Sequence, residues 1–225
     1  MHTFRLITFD CYSALFDYKS ALIPVLQEQL GMAGTQAESM LSLWRAKQLE
    51  AAALSNGLDK GRISFRECTR ISLRYALRRH GLRLPAGQGA ALVDAWDALN
   101  PWPEANAVLR HIKGKGYRIA LLSNGDQAML AALAAGLDVP VDDIFSSESC
   151  GRYKPDPRIY HLPASRLGIA VTQYLHVAGG AGDVVGAKAA GVTCFWSNRA
   201  ADHVLLPAYE PDFQSPSLDG LIDVL

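Results

Sequence analysis

The sequence predicts an α/β fold: a doubly wound, Rossmann-like parallel sheet core with a helical cap domain inserted after the first strand. Three observations carry this. A β-branched and apolar run, Phe4–Phe9, ends in Asp10. From residue 117 onward, strand-like and helix-like segments alternate, which means right-handed crossovers onto a parallel sheet. Between these two regions the chain reads as helix alone, and the first strand joins the later sheet because by itself it has no partner.

The helical stretch divides into segments at 17–31, 36–55, 64–80 and 87–98. In the second, Met40, Leu43, Trp44, Lys47 and Ala51 recur at helical spacing; in the third, Phe65, Cys68, Ile71, Leu73 and Tyr75 mark a less regular apolar face. Asn100-Pro101-Trp102-Pro103 breaks the chain, and Pro103 opens a helix reaching Lys115. Tyr117–Leu122 is then a strand, Asp126–Ala135 a helix ended by Gly136, and Asp143–Ser146 a short strand. Pro155–Leu167 is a helix, Tyr174–Ala178 a strand, Asp183–Ala190 a helix stopped by Gly191, and Val192–Trp196 a strand. The core is thus 1–16 with 99–225, and the cap is 17–98. An insert at that point is expected to lie over the carboxyl ends of the strands as a lid.

A chain of 225 residues, 49% hydrophobic, can bury a substantial core. Its 22 Lys+Arg balance 22 Asp+Glu without a basic run, which argues against a nucleic-acid surface and for a small-molecule partner. With no signal-peptide pattern and no apolar run of membrane-spanning length, a cytoplasmic setting is expected. Cys11, Cys68, Cys150 and Cys194 form no C-x-x-C pair and read as reduced thiols, Cys11 being turned away from Asp10 by strand alternation.

A carboxylate at the carboxyl end of a parallel strand sits where α/β sheets bind ligands. Four such loops carry reactive residues here: Asp10, Ser123-Asn124-Gly125, Arg152-Tyr153-Lys154-Pro155, and Gly179-Gly180-Ala181-Gly182-Asp183. Singly, each has a plainer reading as a helix cap, a turn or a solvated lysine. Tyr12 stands where many chains with this opening carry a second aspartate. Asp10 can therefore act as a nucleophile but lacks a neighbouring acid to protonate a leaving oxygen. His176, inside a strand, reads as a core histidine.

Taken in this order, the loops resemble the motifs of the haloacid dehalogenase superfamily of hydrolases, and within it the L-2-haloacid (type II) dehalogenases. Phe9-Asp10-Cys11-Tyr12, Leu43-Trp44-Arg45, Lys47-Gln48-Leu49-Glu50, Leu122-Ser123-Asn124-Gly125, Lys154–Tyr160 and Trp196-Ser197-Asn198-Arg199 carry the likeness across nearly the whole chain. The resemblance implies that Asp10 displaces halide from C2 of a small carboxylic acid, forming an ester that water hydrolyses. It implies catalytic roles for Asp10, Lys154, Asp183 and Arg45, the last receiving halide, while Lys154 keeps Asp10 ionised beside Asp183. It implies substrate contacts from Tyr12, Ser123, Asn124, Leu49, Phe65, Tyr160 and Asn198, with core packing an equal reading for Phe65. No metal or other cofactor is implied; a homodimer is.

The chain departs from that pattern in two places. Ser13-Ala14 replaces the usual Gly-Thr, and Ala178, Gly180 and Gly182 stand where the family carries Ser, Asn and an aromatic residue. Two alternatives therefore stay open. One is a phosphatase of the same superfamily, with Mg2+ on Asp10 and Asp183 and phosphate cradled by the loop glycines; Tyr12 and Gly179, in place of that loop's first acid, stand against it. The other is an inactive relative that binds a small acid.

Overall fold

The computed structural model describes residues 4–84 and 87–225; residues 1–3, 85 and 86 of the expected core and cap lie outside it. The chain forms two compact units, Met1–Phe16 with Pro101–Leu225, and Asp17–Asn100.

In chain order, strand β1 (Leu6–Phe9) is followed by a two-residue strand β2 (Phe16–Asp17). Helices α1 (Tyr18–Leu30), α2 (Gly34–Leu58), α3 (Phe65–Arg79) and α4 (Gln88–Asp94) build the second unit, and β3 (Asn100–Pro101) pairs with β2 where the chain returns. The first unit continues with α5 (Ala105–Gly114), β4 (Arg118–Ser123), α6 (Gln127–Ala135), β5 (Asp143–Ser146), α7 (Pro157–Leu167), β6 (Tyr174–Ala178), α8 (Ala181–Ala189), β7 (Thr193–Ser197) and β8 (Phe213–Ser215).

Six of these strands form a sheet in the order β5-β4-β1-β6-β7-β8, with every pairing parallel. Helices cover a parallel sheet on both faces, so its central strands must be apolar throughout; Leu6-Ile7-Thr8-Phe9 is buried at every position. The chain winds outward from β1 through β4 to β5, then returns to β6 and proceeds the other way. Winding direction reverses beside β1, the place where such sheets open a ligand crevice at their carboxyl ends. One sheet face packs Leu6, Ala120, Leu122, Tyr174, Ala178 and Cys194 against Ile159 and Tyr160 of α7 and Val184 and Ala187 of α8. Each large apolar side chain buried this way stabilises by roughly 1.5–3 kcal/mol.

In the helical unit, Asp17 caps α1 by accepting from the Lys19 and Ser20 amides, and Ser64 caps α3 by accepting from the Glu67 amide. Trp44 of α2 meets Trp96 edge to face at 5.5 Å, and Tyr18 stacks on Trp96 at 5.7 Å. These rings tie both ends of the unit to its centre.

Several elements differ from expectation. β8 was not anticipated: a strand of three residues, within the four that separate Pro211 from Pro216, leaves no room for a period-two pattern. The helix expected over 87–98 ends at Asp94 and closes with a 3-10 turn, Ala95–Asp97. α8 starts at Ala181, so Asp183 lies inside its first turn rather than opening it. All four cysteines are free. Cys11 is not governed by strand alternation, because it lies in the turn after β1. Its thiol interacts with Ser123, and burial, then the Asp10 charge, push its pKa well above the ordinary value.

Candidate active site

Asp10 is fixed by the sheet itself: its amide continues the ladder, donating to the Val177 carbonyl at 2.9 Å. The carboxylate is buried, and one oxygen, Oδ1, accepts from Ser123 Oγ at 3.0 Å and from Lys154 Nζ at 3.2 Å. Two donors on one oxygen set the plane of the nucleophile. Lys154 Nζ also donates to Asp183 Oδ2 at 2.8 Å. One ammonium therefore bridges the two carboxylates that the first and fourth loops supply.

Lys154 is held in turn by Asn124, whose Oδ1 accepts from the Lys154 backbone amide at 2.8 Å, while the Asn124 carbonyl accepts from Ser147 Oγ. The Asn124 side-chain oxygen thus anchors the lysine loop. The Ser123 hydroxyl, also expected on a substrate carboxylate, is turned to Asp10. Tyr160 of α7 donates from its hydroxyl to Asp183 Oδ1 at 2.8 Å and lays its ring 5.8 Å from Lys154 Nζ. Tyr12 is buried beside Asp10, its hydroxyl close to Gly125.

The electrostatics follow from burial. Desolvation works against the Lys154 ammonium, but the charges of Asp10 and Asp183 outweigh it and raise its pKa above the ordinary lysine value. Burial likewise opposes the Asp183 carboxylate; Lys154 and then His176 reverse this and hold it well below the usual carboxylate range. Burial, then Asp183, pushes the Tyr160 phenol well above its ordinary value. Buried groups whose proton affinities are shifted by specific charge partners cluster at functional sites.

The sequence reading missed His176. Its Nε2 lies 3.1 Å from Asp183 Oδ2 and 3.3 Å from Lys154 Nζ, and its Nδ1 lies 2.9 Å from Thr8 Oγ1. Thr8 and His176 are register partners on β1 and β6. A signal existed: Thr8 lies two residues before Asp10 on the same strand face, and His176 is the one polar residue of Tyr174–Ala178.

Asn198 is not drawn into this cluster. Its Nδ2 donates to the Asp202 carbonyl and its Oδ1 accepts from the Asp202 amide, both at 2.9 Å, closing its own loop. In the helical unit, Phe65 is fully buried in the unit's core and Leu49 is exposed. The Arg45 guanidinium lies 5.6 Å from each of the Tyr18 and Trp96 ring centroids and donates to Gln48 Oε1 at 2.6 Å. Gln48, buried, donates in turn to Thr69 Oγ1 at 2.6 Å.

A divalent cation is poorly provided for. Gly179 packs so tightly on the loop after Asp10 that a β-carbon there would collide with the backbone of Ser13 and Ala14, and no carboxylate can stand at that position. Among the described residues there is no group of three or more His, Cys, Asp or Glu side chains that could hold a metal ion. Asp10 and Asp183 are ion-paired through Lys154.

A family model for haloacid dehalogenase-like hydrolases matches residues 4–191. Among curated proteins, the (S)-2-haloacid dehalogenase of Pseudomonas sp. (strain YL) is 32% identical over 97% of this chain and 93% of its own length. (S)-2-haloacid dehalogenase 4A of Burkholderia cepacia is 34% identical over 92% of this chain and 87% of its own. A solved dehalogenase superposes with a TM-score of 0.91 at 31% identity, covering 100% of this chain and 98% of that one. The L-2-haloacid dehalogenase of Xanthobacter autotrophicus, with chloropropionic acid covalently bound, gives a TM-score of 0.85 at 26% identity, with 98% of each chain covered.

Proposed function

Because this chain belongs to the haloacid dehalogenase-like hydrolases, we propose that it hydrolyses a small 2-halocarboxylic acid through an ester formed on Asp10. The observation that carries the reading is the bridge from the buried Lys154 Nζ to both Asp10 and Asp183. A carboxylate kept ionised and oriented by a fixed ammonium is an activated nucleophile. Its attack on C2 expels halide, which needs no acid catalyst, so Tyr12 in the place of a second aspartate costs this reaction nothing. Water then attacks the ester at the Asp10 carboxyl carbon, releasing a 2-hydroxy acid and restoring the carboxylate.

We assign catalytic roles to Asp10, Lys154 and Asp183, with Tyr160 and Ser123 holding the last and the first of them. Arg45 is assigned to the departing halide: its guanidinium is flanked by two aromatic rings and oriented by Gln48. Residues 17–98 are taken as the cap domain, 1–16 with 99–225 as the core, and Tyr12, Asn124 and Leu49 as substrate contacts. A homodimer in the cytoplasm completes the proposal; among the described residues no helix is long and apolar enough to cross a membrane, and sedimentation at micromolar concentration tests the dimer.

Neither alternative gains a supporting observation. The phosphatase would require an acid where Gly179 admits none. A simple binding protein has no use for a nucleophile with its own buried cation.

The test is chloride release from L-2-chloropropionate in chelator-treated buffer, abolished by Asp10→Asn. Turnover of a phosphate ester with magnesium, and no chloride, would overturn the proposal.

A further inference from the structure

The ester route of the preceding section, on which this inference rests, liberates one proton for each halide. Its water step begins with Asp10 esterified and uncharged, so that Asp183 alone faces the Lys154 ammonium and their charges already balance without a further proton. We propose that His176 is a positioning residue behind Asp183 which receives that proton, its Nε2 accepting through Asp183 what the attacking water gives up while Thr8 holds its Nδ1.

Among the described residues, three side chains hydrogen-bond to the Asp183 carboxylate: Tyr160 on Oδ1, and Lys154 and His176 on Oδ2. The Lys154 ammonium and the Tyr160 phenol already carry their protons and donate them. Of the three, the imidazole alone is a nitrogen base, whose neutral form offers a lone pair to a proton. Residues 178–182, Ala-Gly-Gly-Ala-Gly, add no polar side chain. Asp183 is paired with the Lys154 ammonium at 2.8 Å, which disfavours a proton on its carboxylate.

The hydrogen-bond balance around His176 suits the role. The Thr8 hydroxyl lies 2.9 Å from Nδ1 and 3.4 Å from the Leu175 carbonyl. The proposed relay takes the tautomer in which Nδ1–H donates to Thr8, Thr8 donates to Leu175, and Nε2 faces the Lys154 ammonium as acceptor. Once protonated, Nε2–H donates to Asp183 and the Thr8 side is unchanged. The other groups facing the ring are the edge-on ring of Tyr160 from α7, at 5.8 Å, and Cys194, its register partner on β7; Asp10 lies one step beyond Lys154. Among the described residues facing the ring, Lys154 is the cation.

In the balanced step, the water oxygen bonds to the Asp10 carboxyl carbon while one of its protons passes to Asp183 and on to His176. The bond from that carbon to the alkyl oxygen breaks, and the departing oxygen takes the second water proton. Asp10 is left as carboxylate, a 2-hydroxy acid as product, and the imidazolium returns its proton to solvent.

Rapid mixing of the wild-type enzyme with L-2-bromopropionate across pH 5–8.5, with bromide and the quenched Asp10 ester followed separately, tests this. The bromide burst is expected to be independent of pH, whereas ester loss rises with pH through a single-proton limb. His176→Gln can still hydrogen-bond to Asp183 but cannot take a proton. It should keep the burst within about two-fold, slow ester loss by about 100-fold or more, erase the limb, and leave the ester on the Asp10 peptide by mass spectrometry. Unchanged ester loss in that variant overturns the role, as does pH-independent ester loss in the wild type, which needs no variant to fold. Bromide release with no 18O from labelled water entering the Asp10 carboxylate in a single turnover overturns the ester route itself.

Discussion

The Tyr160 hydroxyl occupies the space that a β-carbon at Gly186 would need, so the middle of α8 is shaped around the group that holds Asp183. Elsewhere in a helix, Gly→Ala is worth about 1 kcal/mol in favour of alanine. Here the added carbon must displace a fully buried ring. Gly186→Ala is expected to lose about 1–3 kcal/mol in urea denaturation and about ten-fold in kcat. Tyr160→Phe should share the kinetic loss while keeping most of the stability; equal kinetics for both variants and the wild type would remove Tyr160 from the mechanism.

Lys154→Met leaves two carboxylates buried at one site without their cation. Removing one partner of a buried pair typically costs about 3–5 kcal/mol, so the variant should be inactive and much less stable at pH 7. In the wild type, the depressed Asp183 contributes stability that is complete above about pH 4 and is lost only as pH falls through its folded pKa. The raised Lys154 contributes stability complete below about pH 10.4 and lost as pH rises through its folded pKa. Stability from these two groups is therefore flat between those limits, and urea midpoints measured across the range check it.

Ser13 adopts φ of 86°, a left-handed backbone that a side chain disfavours by about 1–2 kcal/mol. Ser13→Gly is expected to raise stability by about 1 kcal/mol. Because its carbonyl accepts from Trp102 Nε1 through the backbone alone, that bond should survive the change. A fall in stability would show that the serine hydroxyl contributes more than its backbone strains.

Thr69 accepts from the buried Gln48 amide and donates to the Phe65 carbonyl, and Gln48 in turn accepts from Arg45. Thr69→Val preserves shape but leaves the Gln48 amide without that acceptor, a cost of about 1–3 kcal/mol. If Arg45 serves the halide, the same change should slow the halide burst while leaving ester hydrolysis alone. An unaltered burst would separate this chain of bonds from catalysis.

The sheet was legible because parallel strands buried on both faces write themselves as short apolar runs between turn residues. Asp10, Lys154 and Asp183 were legible because each closes or follows such a run. What escaped depended on register. Nothing local to His176 reveals that its strand lies beside β1 with Thr8 directly opposite; that pairing comes from sheet order, set by residues far apart in the chain. Asn198 failed in the opposite way: its motif invites a role in the cleft, yet its amide is satisfied four residues away, by Asp202. β8 escaped because an edge strand of three residues is too short for alternation to be seen.

The contact between Gly179 and the Ser13–Ala14 backbone also bears on how such a site can change over evolutionary time. A chemistry that needs an acid at 179 is unreachable by substituting that residue alone, since the acid would first push apart the loop carrying the nucleophile. Reshaping residues 13–14 beforehand would disturb Asp10 with no immediate return. Ester chemistry and metal-assisted phosphoryl chemistry are in this scaffold divided by a valley that at least two changes must cross together.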